Sequence, residues 1–370
     1  MNILLQWIAG IVARVVRTLD FWLMLPLLAL MVIGLAVLHS AGGQDMHLVY
    51  AQGARFAVGL AALWLLSRLA PMRLRGIAPV LFGLSLVPLL LVLPFGTGEH
   101  GRHWLNLGLF YFQPSELLKL TLPMVLAWYL NSQRLPPRIG TVLVAGALLA
   151  LPTGLIMLQP DFGTAMLVVA SGAFALFLAG LSWWWFGAAL GAVAAAAPVA
   201  WFWLLRPYQK DRILTFLEPE NDPLGAGWNI IQSKIAIGSG GFTGRGWGQG
   251  SQSYLDYIPE HTTDFIFAVL SEEFGWVGVV VVLALYLFVV GRCLWIAAEA
   301  RDTYSRILAG ALGLAFFVYV IVNGGMIAGL LPVVGIPMPL LSYGGTSAVS
   351  LLAGLGVVMA VAAHRPTHGH

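Results

Sequence analysis

The sequence predicts an all-α polytopic membrane protein with about ten transmembrane helices and one large extracytoplasmic loop between spans seven and eight. Three observations predict this class. Hydrophobic residues fill 59% of the 370 positions and charged residues only 9%, whereas a soluble domain carries about 25% charged residues. The apolar residues are gathered in ten runs, each close to the ~20 residues that cross a bilayer as a helix. The basic residues, among them Arg68, Arg134, Arg292 and Arg306, stand at the ends of those runs, as topology-setting charges do.

The runs fall at 19–38, 54–70, 76–95, 114–131, 139–158, 163–181, 186–205, 264–292, 306–330 and 340–363. The first eighteen residues, with Arg14 and Arg17, read as a short amphipathic lead-in, and the first run then acts as an uncleaved anchor. The connection 40–50 holds no Lys or Arg, while 68–75 holds three, 131–138 two and 292–306 three. This alternation puts the basic loops and both termini in the cytoplasm, and the expected setting is an inner membrane. A net charge of +3 placed in this way argues against a nucleic-acid partner. With Cys293 as the single cysteine, no internal disulfide can form.

The chain therefore reads as one integral membrane domain, 1–370, with 206–263 as the large loop within it. That loop is polar and mixed in charge, and a loop of this length without a function is uncommon. A helix is expected over 227–237, with Trp228, Ile231 and Ile235 on one face. The glycine-rich 238–246 could wrap a phosphate with backbone N–H groups, but a flexible loop explains it more simply. His100 and His103 have ligand-like spacing without a third partner nearby. Trp183, Trp184 and Trp185 read as an interfacial aromatic belt.

Ionisable residues inside or at the edge of spans are costly and mark candidate sites. Glu116 and Lys119 are three apart on one helical face, either a span-stabilising ion pair or the border of a cavity. Asp161, after Gln159 and Pro160, suits a helix cap. Asp264 stands where the polar loop runs into an apolar helix. It is either an N-cap, favoured by the helix dipole, or a base at the junction of cavity and membrane. Glu272 and Glu273, two turns further along, call for a cavity or a counter-charge. Around Ser342, Tyr343, Gly344 and Gly345, close helix packing competes with substrate contact.

The residues quoted so far resemble, in order, those of the SEDS family of cell-wall polymerases, on its elongation rather than its division branch. The segments are Arg102-His103-Trp104-Leu105, Gln113-Pro114-Ser115-Glu116 with Lys119, Gln159-Pro160-Asp161, Asp222-Pro223-Leu224-Gly225, Gln232-Ser233-Lys234, Thr263-Asp264-Phe265, Leu331-Pro332 and Ser342-Tyr343-Gly344-Gly345. One stretch departs from the pattern. The family usually has histidine two residues before its essential aspartate, where this chain has Thr262, with His261 one place earlier.

The resemblance implies that the protein polymerises lipid II, the undecaprenyl-diphosphate-linked disaccharide-pentapeptide, with inversion at the sugar. Asp264 matches the essential aspartate, the expected base. Lys119, Arg102, Arg212, Lys234 and Arg245 are the expected holders of diphosphate. Glu116, Trp104, Asp161, Glu260 and Ser342 complete the expected substrate site. A divalent cation (Mg or Mn) is expected to assist the leaving group. The implied partners are a single-span class B penicillin-binding protein, which is a transpeptidase, and other membrane proteins of the elongation complex. From the residues alone, a lipid-linked substrate flippase and a membrane scaffold for a transpeptidase stay open.

Overall fold

The computed structural model describes residues 18–98, 102–108, 111–205, 207–221, 226–250 and 260–365. The lead-in at 1–17, the segment 222–225, His100 and Pro259 lie outside them, as does the Arg212 side chain.

Each apolar run contains one helix: α1 (Phe21–Ala41), α2 (Met46–Ser67), α3 (Pro71–Phe95), α4 (Ser115–Asn131), α5 (Ile139–Leu158), α6 (Phe162–Leu178) and α7 (Trp183–Val199). The large loop carries α8 (Pro207–Leu217) and α9 (Ala226–Gly240), and α10 (Ile266–Ala298), α11 (Thr303–Ile327) and α12 (Thr346–Ala363) follow. By length and composition, eight helices among the described residues can cross a membrane, and α6 is apolar but shorter. Helix α4 has 17 residues, with Glu116 and Lys119 in its first two turns. The protein is an all-α, multi-pass membrane protein. A two-stranded hairpin, β1 (Leu105–Asn106) with β2 (Tyr111–Phe112), interrupts the helical pattern before α4.

The boundaries follow local chemistry. Asp20, Asp45, Asp161 and Asp302 cap α1, α2, α6 and α11 by accepting backbone N–H groups, which supplies partners a helix start otherwise lacks. Helix α2 starts well before the expected 54 because Asp45 caps it at Met46. Helix α12 starts after the expected 340. Pro337, Pro339 and the Gly344-Gly345 pair keep the preceding stretch extended or turning.

Helices α10 and α11 pack together along their length, and α12 packs on α2. Helix α7 buries no residue, and its Trp184 is 86% exposed. That suits an apolar helix whose solvent is lipid.

One expectation about the loop holds and one needs correction. Helix α9 covers the expected 227–237, and the residues it buries include Ile230, Ser233 and Ala236. Ser233 donates to the Ile327 carbonyl at 3.0 Å, so small and polar side chains allow the close approach to α11. The glycine-rich stretch after α9 is neither a phosphate wrap nor a free loop, because it fills a break in α10. At Gly275 the backbone leaves helical geometry with φ +62°. The orphaned groups are satisfied by Trp276 N–H to Gly241 O and Val277 N–H to Phe242 O. Arg245 N–H to Glu272 O and Gly246 N–H to Glu273 O, both 3.0 Å, complete the exchange. Broken helices are tolerated at membrane depth only when other backbone completes them in this way. A Cβ on Gly275 would lie 2.3 Å from Gly244 N. The acids beside the break are matched too. Glu272 pairs with Arg245 at 3.5 Å, and Glu273 accepts from Ser40 Oγ and Gly248 N–H.

Candidate functional site

Four helices, α4, α6, α10 and α12, start at the wall of one cavity of about 770 Å³. Their first turns, or the residues just before them, line it: Glu116 and Lys119 of α4, Asp161 to Thr164 and Leu167 of α6, Thr263 and Asp264 ahead of α10, and Gly345 to Ser347 at α12. A helix start carries roughly half a positive charge. The described lining side chains, by contrast, hold three carboxylates against one ammonium. The backbone therefore favours an anion that the side chains alone would repel.

The α4 wall is fully paired. Lys119 Nζ lies 2.6 Å from Glu116 Oε1, with the two side chains 14% and 4% exposed. Ser350 of α12 donates to the other glutamate oxygen at 2.6 Å, and the ammonium stands 5.0 Å from the centre of the Tyr319 ring. Both sequence readings hold together: the pair joins α4 to α12 and also borders the cavity.

Asp161 caps α6 through Thr164 N–H at 3.0 Å and accepts from Gln113 Nε2 at 3.0 Å. Trp104 and His103 reach the wall from the hairpin segment. His103 Nδ1 is 3.0 Å from the Gln159 carbonyl. A carbonyl only accepts, so Nδ1 carries the hydrogen. Among the described residues no three His, Cys, Asp or Glu side chains come together as a metal cage.

Asp264 differs from the other acids. It does not cap α10, whose start lacks a side-chain cap, and among the described residues nothing donates a hydrogen bond to its carboxylate. Burial, reinforced by the negative charge of Glu260, pushes its pKa up to about 6. Gly335, whose φ of +70° favours glycine, packs beside it: a Cβ there would lie in ordinary contact, 3.5 Å from Asp264 Oδ2. The turn is fixed on two sides. Asn323 Nδ2 donates to the Asp264 carbonyl at 2.8 Å, and Tyr343 N–H donates to the Thr262 carbonyl at 2.9 Å.

The remaining expected residues lie elsewhere. Arg102 and Lys234 are exposed and do not line the cavity. Arg245 is engaged at the α10 break. Glu260 accepts from Thr263 Oγ1 at 2.7 Å and acts on Asp264 through its charge. Ser342 Oγ accepts from Met338 N–H at 2.7 Å and closes a turn. Of the five basic residues expected to hold diphosphate, Lys119 alone is among the described lining residues.

Sequence reasoning missed Asn323, Ser350 and Arg55. The Arg55 guanidinium stacks 4.2 Å over the ring of Tyr343 and donates to its hydroxyl at 3.1 Å. All three are polar residues within apolar runs, and that signal was there to be read.

A family model described as cell cycle protein, spanning the FtsW, RodA and SpoVE proteins, matches residues 13–367. The peptidoglycan glycosyltransferase MrdB of Escherichia coli (strain K12) is 47% identical over 348 residues, covering 94% of each chain. The peptidoglycan glycosyltransferase RodA of Treponema pallidum is 31% identical, over 95% of this chain and 99% of its own. The crystal structure of the rod shape determining protein RodA from Thermus thermophilus superimposes with a TM-score of 0.72 at 32% identity, covering 94% of this chain and 97% of that one. A structure described as the structural coordination of polymerization and crosslinking by a peptidoglycan synthase complex reaches a TM-score of 0.82 at 35% identity, covering 92% of this chain and 97% of that one. With matches of this extent, the chain belongs to the FtsW, RodA and SpoVE family, the SEDS group that its motifs resemble.

Proposed function

We propose that this chain polymerises lipid II into β-1,4-linked glycan strands during cell elongation, with Asp264 as the base. It is a peptidoglycan glycosyltransferase, as its relatives are named. In the proposed step the acceptor's 4-hydroxyl loses its proton to Asp264 as its oxygen attacks the donor sugar. The bond to diphosphate breaks on the opposite face, and the configuration inverts. One observation carries the assignment. Among the described carboxylates of the lining, Asp264 is the one that accepts no hydrogen bond, and its pKa is pushed up to about 6. A base works best when its pKa lies near the working pH.

The departing diphosphate meets Lys119 and the four helix starts, which stabilise charge without reorganising. A divalent cation such as Mg or Mn would ease entry of that anion into a cavity lined by three acids. With no protein cage of three ligands among the described residues, diphosphate oxygens and water would supply most of its coordination, as for magnesium on nucleotide phosphates. A class B penicillin-binding protein fits as the partner, because a structural neighbour is a complex that couples polymerization to crosslinking. The basic-loop pattern supports an orientation with both termini cytoplasmic, and the named bacterial relatives support the inner membrane as its setting.

The test is glycan synthesis from purified lipid II by folded Asp264→Asn and Asp264→Ala proteins. A loss of about 10²–10⁴-fold is expected. Normal strand synthesis by either variant would remove Asp264 from the mechanism, and lipid II movement across liposomes without polymer would favour a flippase.

A further inference from the structure

Asn323 lies in the last two turns of the apolar helix α11, fully buried. Its Nδ2 donates two hydrogen bonds, to the Asp264 carbonyl at 2.8 Å and to the Ile336 carbonyl at 2.7 Å. Both neighbours are carbonyl oxygens, which only accept, so the amide cannot be turned over. Its own Oδ1 is buried without a partner among the described residues. A buried amide oxygen without a protein partner adds nothing to stability, so the two donated hydrogen bonds are what this side chain contributes. What it does supply is a two-proton fork linking the turn that bears Asp264 to the loop that bears Gly335. Serine offers one proton there and leucine none.

We infer that Asn323 is a positioning residue, holding the Asp264 turn against the 332–337 loop and so setting where the base stands in the cavity. The inference rests on Asp264 acting as the base. Asn323 touches the backbone of Asp264 rather than the substrate, and a misplacement of about 1 Å in a reacting group can cost 10²-fold in rate. Once freed, the turn would let the carboxylate move towards water and lose the burial that raises its pKa. The titratable and charged groups around it are Glu260 and His261 on its own turn, His103 beside the hairpin, Glu116 and Lys119 on α4, Asp161 before α6 and Tyr343 before α12; the 332–337 loop brings none.

The experiment compares Asn323→Leu, Asn323→Ser and Asp264→Asn in the full-length protein, measuring lipid II polymerisation across pH per folded molecule. Asn323→Leu should lower kcat about 10–100-fold with KM for lipid II little changed, and the acid limb of the rate profile should move to lower pH than in the wild type. Asn323→Ser should fall between the two. If the leucine protein does not fold, the serine protein decides by the same two readouts. A variant that folds less well, yet keeps wild-type kcat and acid limb in its folded fraction, would assign Asn323 to folding alone and overturn the inference. Asp264→Asn separates the two failures. If it is inactive while Asn323→Leu behaves as wild type, only the positioning role is lost. If it is active, the base assignment itself is lost.

Discussion

On the α4 and α12 side of the cavity, Glu116 has one oxygen on Lys119 and the other on Ser350. On the α10 and α11 side, Asp264 is held by its backbone while no described residue donates a hydrogen bond to its carboxylate. Both are acids at the start of an apolar helix, and sequence patterning treats them alike. The structure separates them by what their oxygens do. Glu116 is committed to joining helices, and its charge is already neutralised. Asp264 is oriented from behind and left open in front, as a group must be if it is to take a proton.

The strongest way to break this contrast is to remove each acid in turn. Asp264→Ala should cost about 10²–10⁴ in polymerisation rate and leave the fold intact, as read by activity and thermal unfolding on one preparation. Glu116→Ala should act on the fold instead. It strands the Lys119 ammonium, and losing one partner of a buried pair costs about 3–5 kcal/mol. A matched Glu116→Leu, Lys119→Leu protein should recover much of the lost Tm. If the single alanine proved as stable as wild type, the pair would not be the fastening described.

A smaller effect is expected at the α10 break. Gly275→Ala meets Gly244 and a left-handed backbone, and strain of this kind costs about 1–3 kcal/mol. Its cost should appear in Tm, since the break lies away from the described cavity lining. The subtlest prediction concerns Asp264 and pH. Its folded pKa, about 6, lies above the ordinary aspartate value, so the folded state binds this proton more tightly than the unfolded chain. Stability from this group therefore falls as pH rises from about 4 through 6. Asp264→Asn should melt higher than wild type at pH 8, with the gap closing below about pH 4. A lower Tm at pH 8 would mean the carboxylate is stabilised by contacts not seen here.

What was legible in the sequence was local. Asp161 before α6 and the three-residue spacing of Glu116 and Lys119 needed only neighbours in the chain. Asp264 announced itself as an acid at a polar-to-apolar boundary. The reading that failed depended on distant segments. Nothing in a glycine-rich stretch says that it will complete the backbone of a helix thirty residues on, as Gly241 and Phe242 do for Trp276 and Val277. Basic residues were over-assigned to the cavity because charge states a need for a partner and not where that partner lies: Arg245 found Glu272. Arg55 and Tyr343, far apart in sequence, could not be paired without the fold. Asn323 carries no charge, and its two carbonyl partners, on Asp264 and Ile336, come together only in the fold.

The gathering of four helix beginnings at one basin has a consequence for mutation. A pull on negative charge is written into the path of the main chain, so no single side-chain substitution erases it. A substitution among the side chains of the rim leaves that contribution in place.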